Sequence, residues 1–146
     1  MVPSTTFTQS TNSLVRVVIV DDSLIVRERL KALLVDDAPY AEVVGEAEEA
    51  QAAIRLIQNR LPDVVILDLQ LLDGTGFEVL RWLKLAAQQP VVIVLTNLIT
   101  PEYKAACLAD GAQYILDKSF GFERLAIILR DLTITSDPSA EEREGL

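Results

Sequence analysis

The stretch Val64-Val65-Ile66-Leu67-Asp68-Leu69-Gln70-Leu71-Leu72-Asp73-Gly74-Thr75-Gly76 decides how the chain is read. Its first four residues are apolar and three of them are β-branched, the pattern of a strand buried on both faces of a parallel sheet. The run stops on an acid. In open α/β sheets, ligands bind outside the carboxyl ends of the strands, so a carboxylate there stands at the ligand edge. Alone, Asp68 would pass for an ordinary turn residue. The reading changes because the pattern recurs.

Working outward, Arg16 to Val20 is a second such strand and stops on Asp21-Asp22, with Ser23 placed to cap the helix that follows. In that helix Ile25, Val26, Leu30, Leu33 and Leu34 form the apolar stripe. A short strand is expected over Glu42 to Glu46, then a helix over Glu48 to Arg60 with Ala50, Ala53, Ile54, Ile57 and Leu61 at helical spacing. Pro62 ends it. After Gly74-Thr75-Gly76, Phe77, Leu80 and Leu83 mark a third helix. Val91 to Leu95 is a buried strand that stops on Thr96-Asn97, and Pro101 opens a short helix ending near Asp110-Gly111. Ala112 to Leu116 is the fifth strand, which stops on Asp117-Lys118, and Leu125, Ile128, Leu129 and Leu132 lie on the last helix. Five strands alternating with five helices predict a single α/β domain, a doubly wound parallel sheet of flavodoxin-like order 2-1-3-4-5. Residues 1–13 read as a flexible arm, 14–133 as the domain and 134–146 as a disordered acidic tail.

The composition removes several classes of function. Thirteen basic against twenty-two acidic residues give a net charge of -9, which argues against a nucleic-acid partner. With no histidine, the chain cannot supply a His-based triad or a His metal site. The single Cys107 fits a reducing compartment. The Ser- and Thr-rich start has no basic flank or apolar core, and no apolar run approaches the ~20 residues of a membrane span. A soluble, cytoplasmic protein without membrane contact is expected.

Polar residues thus end four strands: Asp21-Asp22, Asp68, Thr96 and Lys118. Strands 1, 3, 4 and 5 are neighbours in the expected order, so these side chains should meet in one cleft. Three carboxylates together repel unless a cation compensates. Oxygen ligands without His or Cys favour Mg²⁺. Lys118 and Thr96 suit the oxygens of a phosphoryl group. A carboxylate nucleophile accepting phosphate beside a magnesium ion follows. Each residue also has a plainer reading: the Asp pair as a helix N-terminal charge, Thr96 as a strand-end residue, Lys118 as a solvated partner of Asp117. Four such placements at one edge favour the functional reading.

The motifs Val-Val-Ile-Val-Asp21-Asp22-Ser23, Ile-Leu-Asp68-Leu-Gln-Leu, Asp73-Gly74-Thr75-Gly76, Val-Leu-Thr96 and Lys118 resemble the CheY-like receiver domain of bacterial two-component response regulators. The resemblance covers Arg16 to Leu132. It implies that Asp68 is the phosphoacceptor, that Asp22 binds Mg²⁺ directly and Asp21 through a water, and that the Gln70 backbone carbonyl completes the metal's protein ligands. Thr96 and Lys118 would hold the phosphoryl oxygens, and a sensor histidine kinase would donate the group. The receiver would catalyse its own phosphorylation and slow dephosphorylation, with no separate enzyme activity. Departures from the family pattern are Leu72 and Ser119 in place of proline, Ile115 in place of the switch aromatic, with Tyr114 one residue earlier, and the larger Asn97 after Thr96. A one-residue step along a strand turns a side chain to the opposite face.

Only Thr133 to Leu146 follows the last helix, so a stand-alone receiver is expected, read out by protein contact through the fourth helix, fifth strand and fifth helix. Tyr103, Lys104 and Tyr114 are candidates on that face. The alternatives are a phosphorelay intermediate that passes phosphate to a histidine phosphotransfer protein, and a phosphorylation-independent scaffold. A phosphohydrolase of related fold is disfavoured, because the position two beyond its nucleophile needs an acid and holds Gln70. The downstream protein is unidentified by the sequence, which also leaves a homodimer open.

Overall fold

The computed structural model describes residues 14–135. The expected arm of residues 1–13 and the tail beyond 135 lie outside the described residues. The elements alternate strictly: β1 (Val15–Val20), α1 (Leu24–Asp37), β2 (Ala41–Ala47), α2 (Ala50–Arg60), β3 (Val64–Leu67), α3 (Gly76–Lys84), β4 (Val91–Thr96), α4 (Pro101–Ala109), β5 (Tyr114–Asp117) and α5 (Phe122–Thr135). All strand pairs are parallel, in the order β2-β1-β3-β4-β5. The expected doubly wound sheet is the observed one. Its last helix runs two residues into the segment expected as tail.

Every residue of β3 is buried, as its uninterrupted apolar run requires. Alternation along the strands splits the core in two. Val18, Val20, Val65, Leu67 and Val94 pack with Ala53 and Ile57 of α2, Leu80 and Leu83 of α3, and Cys107 of α4. Val17, Ile19, Ile66, Ile93 and Leu95 pack on the other face with Leu30 and Leu34 of α1 and Leu125 and Leu129 of α5. These apolar faces, removed from water on both sides, dominate the stability of the fold.

The helix starts are capped by side chains. Ser23 Oγ accepts from the Val26 N–H, Thr75 Oγ1 from Glu78 and Thr100 Oγ1 from Tyr103, each satisfying a donor that the first turn leaves open. Pro101 sits in the first turn of α4, where no intrahelical donor is needed.

Three expectations shift. Ile25 does not join the core: it is 81% exposed, because only Val26, Leu30, Leu33 and Leu34 fall on the face of α1 turned to the sheet. Leu61 is the half-exposed cap of α2, in a left-handed conformation at φ 48°. β5 begins at Tyr114 rather than Ala112, since the Ala112 N–H donates to the Cys107 carbonyl and so still closes α4. Among the described residues, no helix is long and apolar enough to cross a membrane.

Candidate functional site: an acidic cluster bridged by a lysine

The carboxyl ends of β1, β3, β4 and β5 deliver Asp21-Asp22, Asp68, Thr96 and Lys118 to one edge of the sheet. Asp21, Asp22 and Asp68 each offer a carboxylate oxygen, and these lie within 4.8 Å of one another. Asp21 is 2% exposed and Asp68 4%, whereas Asp22 faces solvent. Lys118 Nζ lies between the two buried acids, 2.8 Å from Asp21 Oδ2 and 2.7 Å from Asp68 Oδ2. It does not pair with Asp117.

Each buried acid is held at its second oxygen by main chain. Asp21 Oδ1 accepts from the Ser23 N–H at 2.8 Å, and Asp68 Oδ1 from the Gln70 N–H at 3.2 Å. Their own N–H groups continue the sheet ladder, Asp21 to the Ala47 carbonyl and Asp68 to that of Val20. Thr96 is fully buried; its Oγ1 accepts from Leu98, and its carbonyl accepts from the Lys118 N–H, which ties the ends of β4 and β5 together. Asn97 and Gln70 are exposed at the mouth.

The charges do not balance. Burial raises the Asp21 carboxyl above its ordinary value even though Lys118 and the Ser23 N–H pull the other way, with Asp68 adding repulsion. Burial also opposes the charge on Lys118, but its two carboxylate partners outweigh that and raise its pKa. The two directions agree physically: one ammonium shared by two acids is firmly charged, while each acid receives only part of its compensation. Among the described residues, no cation pairs with Asp22. An all-oxygen donor set of excess negative charge, open to solvent on one side, fits a hard divalent cation such as Mg²⁺.

The neighbouring loops show what the strand pattern left hidden. A Cβ at Gly76 would collide with the Asp68 carbonyl oxygen and lie 2.8 Å from Leu69 Cα, so glycine is required where α3 starts beside the phosphoacceptor candidate. A Cβ at Gly121 would lie 2.5 Å from the Asp117 carbonyl. Among the described residues no peptide bond is cis. The Lys118-Ser119 turn is instead held by Asp117 Oδ1, which accepts from the Ser119 N–H at 2.7 Å, and by the Asp117 carbonyl, which accepts from Phe120 and Gly121. Ile115 packs on the α3–α4 side of the sheet and Tyr114 on the α1–α5 side, so the aromatic does stand on the opposite face.

A fully parallel sheet presenting buried acids, a threonine and a lysine at its carboxyl edge defines a doubly wound α/β domain with a polar site at the strand ends. The comparisons name it: residues 17–130 match the response regulator receiver domain, and the chain belongs to that family. Among curated relatives, it is 42% identical over 88 residues to the protein-glutamate methylesterase/protein-glutamine glutaminase of group 3 operon of Rhodopseudomonas palustris, covering 60% of this chain and 23% of that one. It is 34% identical over 117 residues to the sensory transduction protein LytT of Bacillus anthracis, covering 80% of this chain and 46% of that one. The chain therefore spans less than half the length of these relatives. The response regulator domain of Thermotoga maritima CheB superposes with a TM-score of 0.71 at 27% identity, over 84% of this chain and 96% of that one. The signal receiver domain of a DNA-binding response regulator from Colwellia psychrerythraea gives 0.73 at 26%, over 80% and 96%.

Proposed function

We propose that Asp68 is the phosphoacceptor of a Mg²⁺-dependent switch charged by a sensor histidine kinase or a histidine phosphotransfer protein. The observation that carries this reading is the buried Asp68 carboxylate held by Lys118 within an acidic cluster of excess negative charge. An Asp68 oxygen attacks phosphorus, the P–N bond of the donor phosphohistidine breaks, and its electron pair stays on the imidazole, which takes up a proton. Lys118 and Thr96 then hold two of the phosphoryl oxygens. Asp21, Asp22, Asp68 and the Gln70 carbonyl are the residues that would hold Mg²⁺, which supplies charge neutralisation at the phosphoryl oxygens. In the return step, water attacks phosphorus and the Asp68 carboxylate leaves. No separate substrate is turned over.

The output is contact with another protein, through a cleft of about 280 Å³ lined by Ile99, Lys104, Ile115, Phe120 and Arg124 between α4, β5 and α5. Phe120 is 85% exposed there. Of the three side chains expected on this face, Lys104 lines the cleft; Tyr103 packs against Phe77 with the rings tilted by 40°, and Tyr114 turns to the other core. Phosphorylation can bias this face only through different interactions with two arrangements of it. The stand-alone form of this reading has no support from the curated relatives, of which the chain spans 23% and 46%. Intact mass after incubation with acetyl phosphate tests the proposed switch. A phosphoryl adduct that disappears with chelator and in Asp68→Asn supports the switch; no adduct on folded protein with Mg²⁺ refutes it.

A further inference from the structure

Among the described residues, Arg27, on the first turns of α1, is a strongly basic group embedded beside the acidic cluster without touching its carboxylates. Its side chain is only 13% exposed. Nη1 donates to the backbone carbonyl of Asp21 at 2.7 Å, and Nε donates to Glu46 Oε1 at 2.9 Å. Glu48 Oε2 lies 3.8 Å from Nη1. Glu46 stands at the end of β2, and its other oxygen takes Lys31 Nζ at 2.8 Å.

The β2–α2 connection reached in this way braces the loop that follows Asp68. The Glu48 carbonyl accepts from the Leu72 N–H, and the Asp73 carbonyl accepts from the Ala50 N–H, each at 2.9 Å. One guanidinium therefore ties the main chain of Asp21 to Glu46 near the end of β2, and the connection that follows β2 is bonded to the loop carrying Gln70 and Asp73. A planar fork presents its donors in fixed directions, pre-organised for a carbonyl and a carboxylate together; an ammonium on a flexible stem fixes neither direction.

We propose that Arg27 is a positioning residue for the acidic cluster, holding the Asp21-Asp22 main chain against the β2–α2 connection so that three carboxylates meet in the arrangement a divalent cation requires. The inference rests on the metal reading above and adds a residue to it. It also makes a prediction opposite in sign to simple electrostatics. A positive charge beside a cation site repels the cation, so removing it should tighten binding if charge were all that mattered. Positioning requires that removal weaken binding, as loss of outer-shell partners does, by about tenfold or more.

Calorimetric titration of Mg²⁺ into the full chain, compared with Arg27→Met, Arg27→Lys and Lys31→Met, decides it without any phosphorylation readout. The Kd for Mg²⁺ is expected to rise about tenfold or more in Arg27→Met and to rise also in Arg27→Lys, which keeps the charge and loses the fork. Lys31→Met, which frees Glu46 of its other cation but leaves Asp21 alone, should bind as the wild type does. An unchanged or lower Kd in folded Arg27→Met overturns the proposal, as does wild-type binding by Arg27→Lys. Should Arg27→Met fail to fold, Arg27→Lys decides alone. A wild-type chain that takes up no Mg²⁺ refutes the metal reading itself, a result distinct from any difference among the variants.

Discussion

Asp68 owes its place to two neighbours that act on it in different ways. Lys118 compensates its charge, and Gly76 leaves room for its carbonyl. Gly76→Ala forces main chain apart beside the site, so it should lower stability by about 1–3 kcal/mol, the usual cost of overpacking, measured by urea unfolding. Asn97 and Gln70 are both exposed, one residue beyond Thr96 and two beyond Asp68, and the proposed switch assigns them the restriction of the attacking water. Asn97→Ala should therefore shorten the phosphorylated half-life severalfold; an unchanged decay would show that Asn97 does not screen the site. At this scale the acids, Thr96 and Lys118 were legible, because each ends an apolar strand or directly follows one. The roles of Gly76, Gly121 and Arg27 were not, since they are set by main-chain groups brought close only in the folded chain.

Among the elements, α4 carries Cys107 against the sheet, fully buried, and burial with help from Asp110 pushes its thiol up to about 11. Native protein should leave Cys107 unmodified by a thiol reagent at neutral pH and expose it on unfolding. Because the folded value lies above the ordinary 9.0, stability from this group is intact below pH 9 and falls as pH rises toward 11, by about 1.4 kcal/mol per unit in that window. Replacing Cys107 by Ala should remove that slope from the alkaline denaturation curve. β5 shows where one-dimensional reading is sharp and where it is blunt. The face of Tyr114 followed from the two-residue period of a strand, whereas the start of the strand at 114 depended on how Ala112 closes α4.

For the whole molecule, two apolar cores support an edge where negative charge is concentrated. Asp21 is raised above 3.8 in the fold, so its contribution is present below that value and is lost as pH rises through its folded value. Urea unfolding in chelator should accordingly shift in favour of Asp21→Asn, relative to wild type, as pH is raised from below 3.8 to neutral. Mg²⁺ should reverse the effect for wild type alone, adding about 2.7 kcal/mol at a hundredfold excess over Kd. The doubly wound order and the site edge were readable together, because buried parallel strands and the ligand edge are parts of one pattern. Of the three carboxylates, Asp68 alone is proposed to accept the phosphoryl group. Hydride reduction of the phosphorylated chain, which converts an aspartyl phosphate to homoserine, followed by peptide mapping, locates it directly. Homoserine at position 68 alone is the predicted result; homoserine at 21 or 22, or none in protein that carries a phosphoryl adduct, would contradict it.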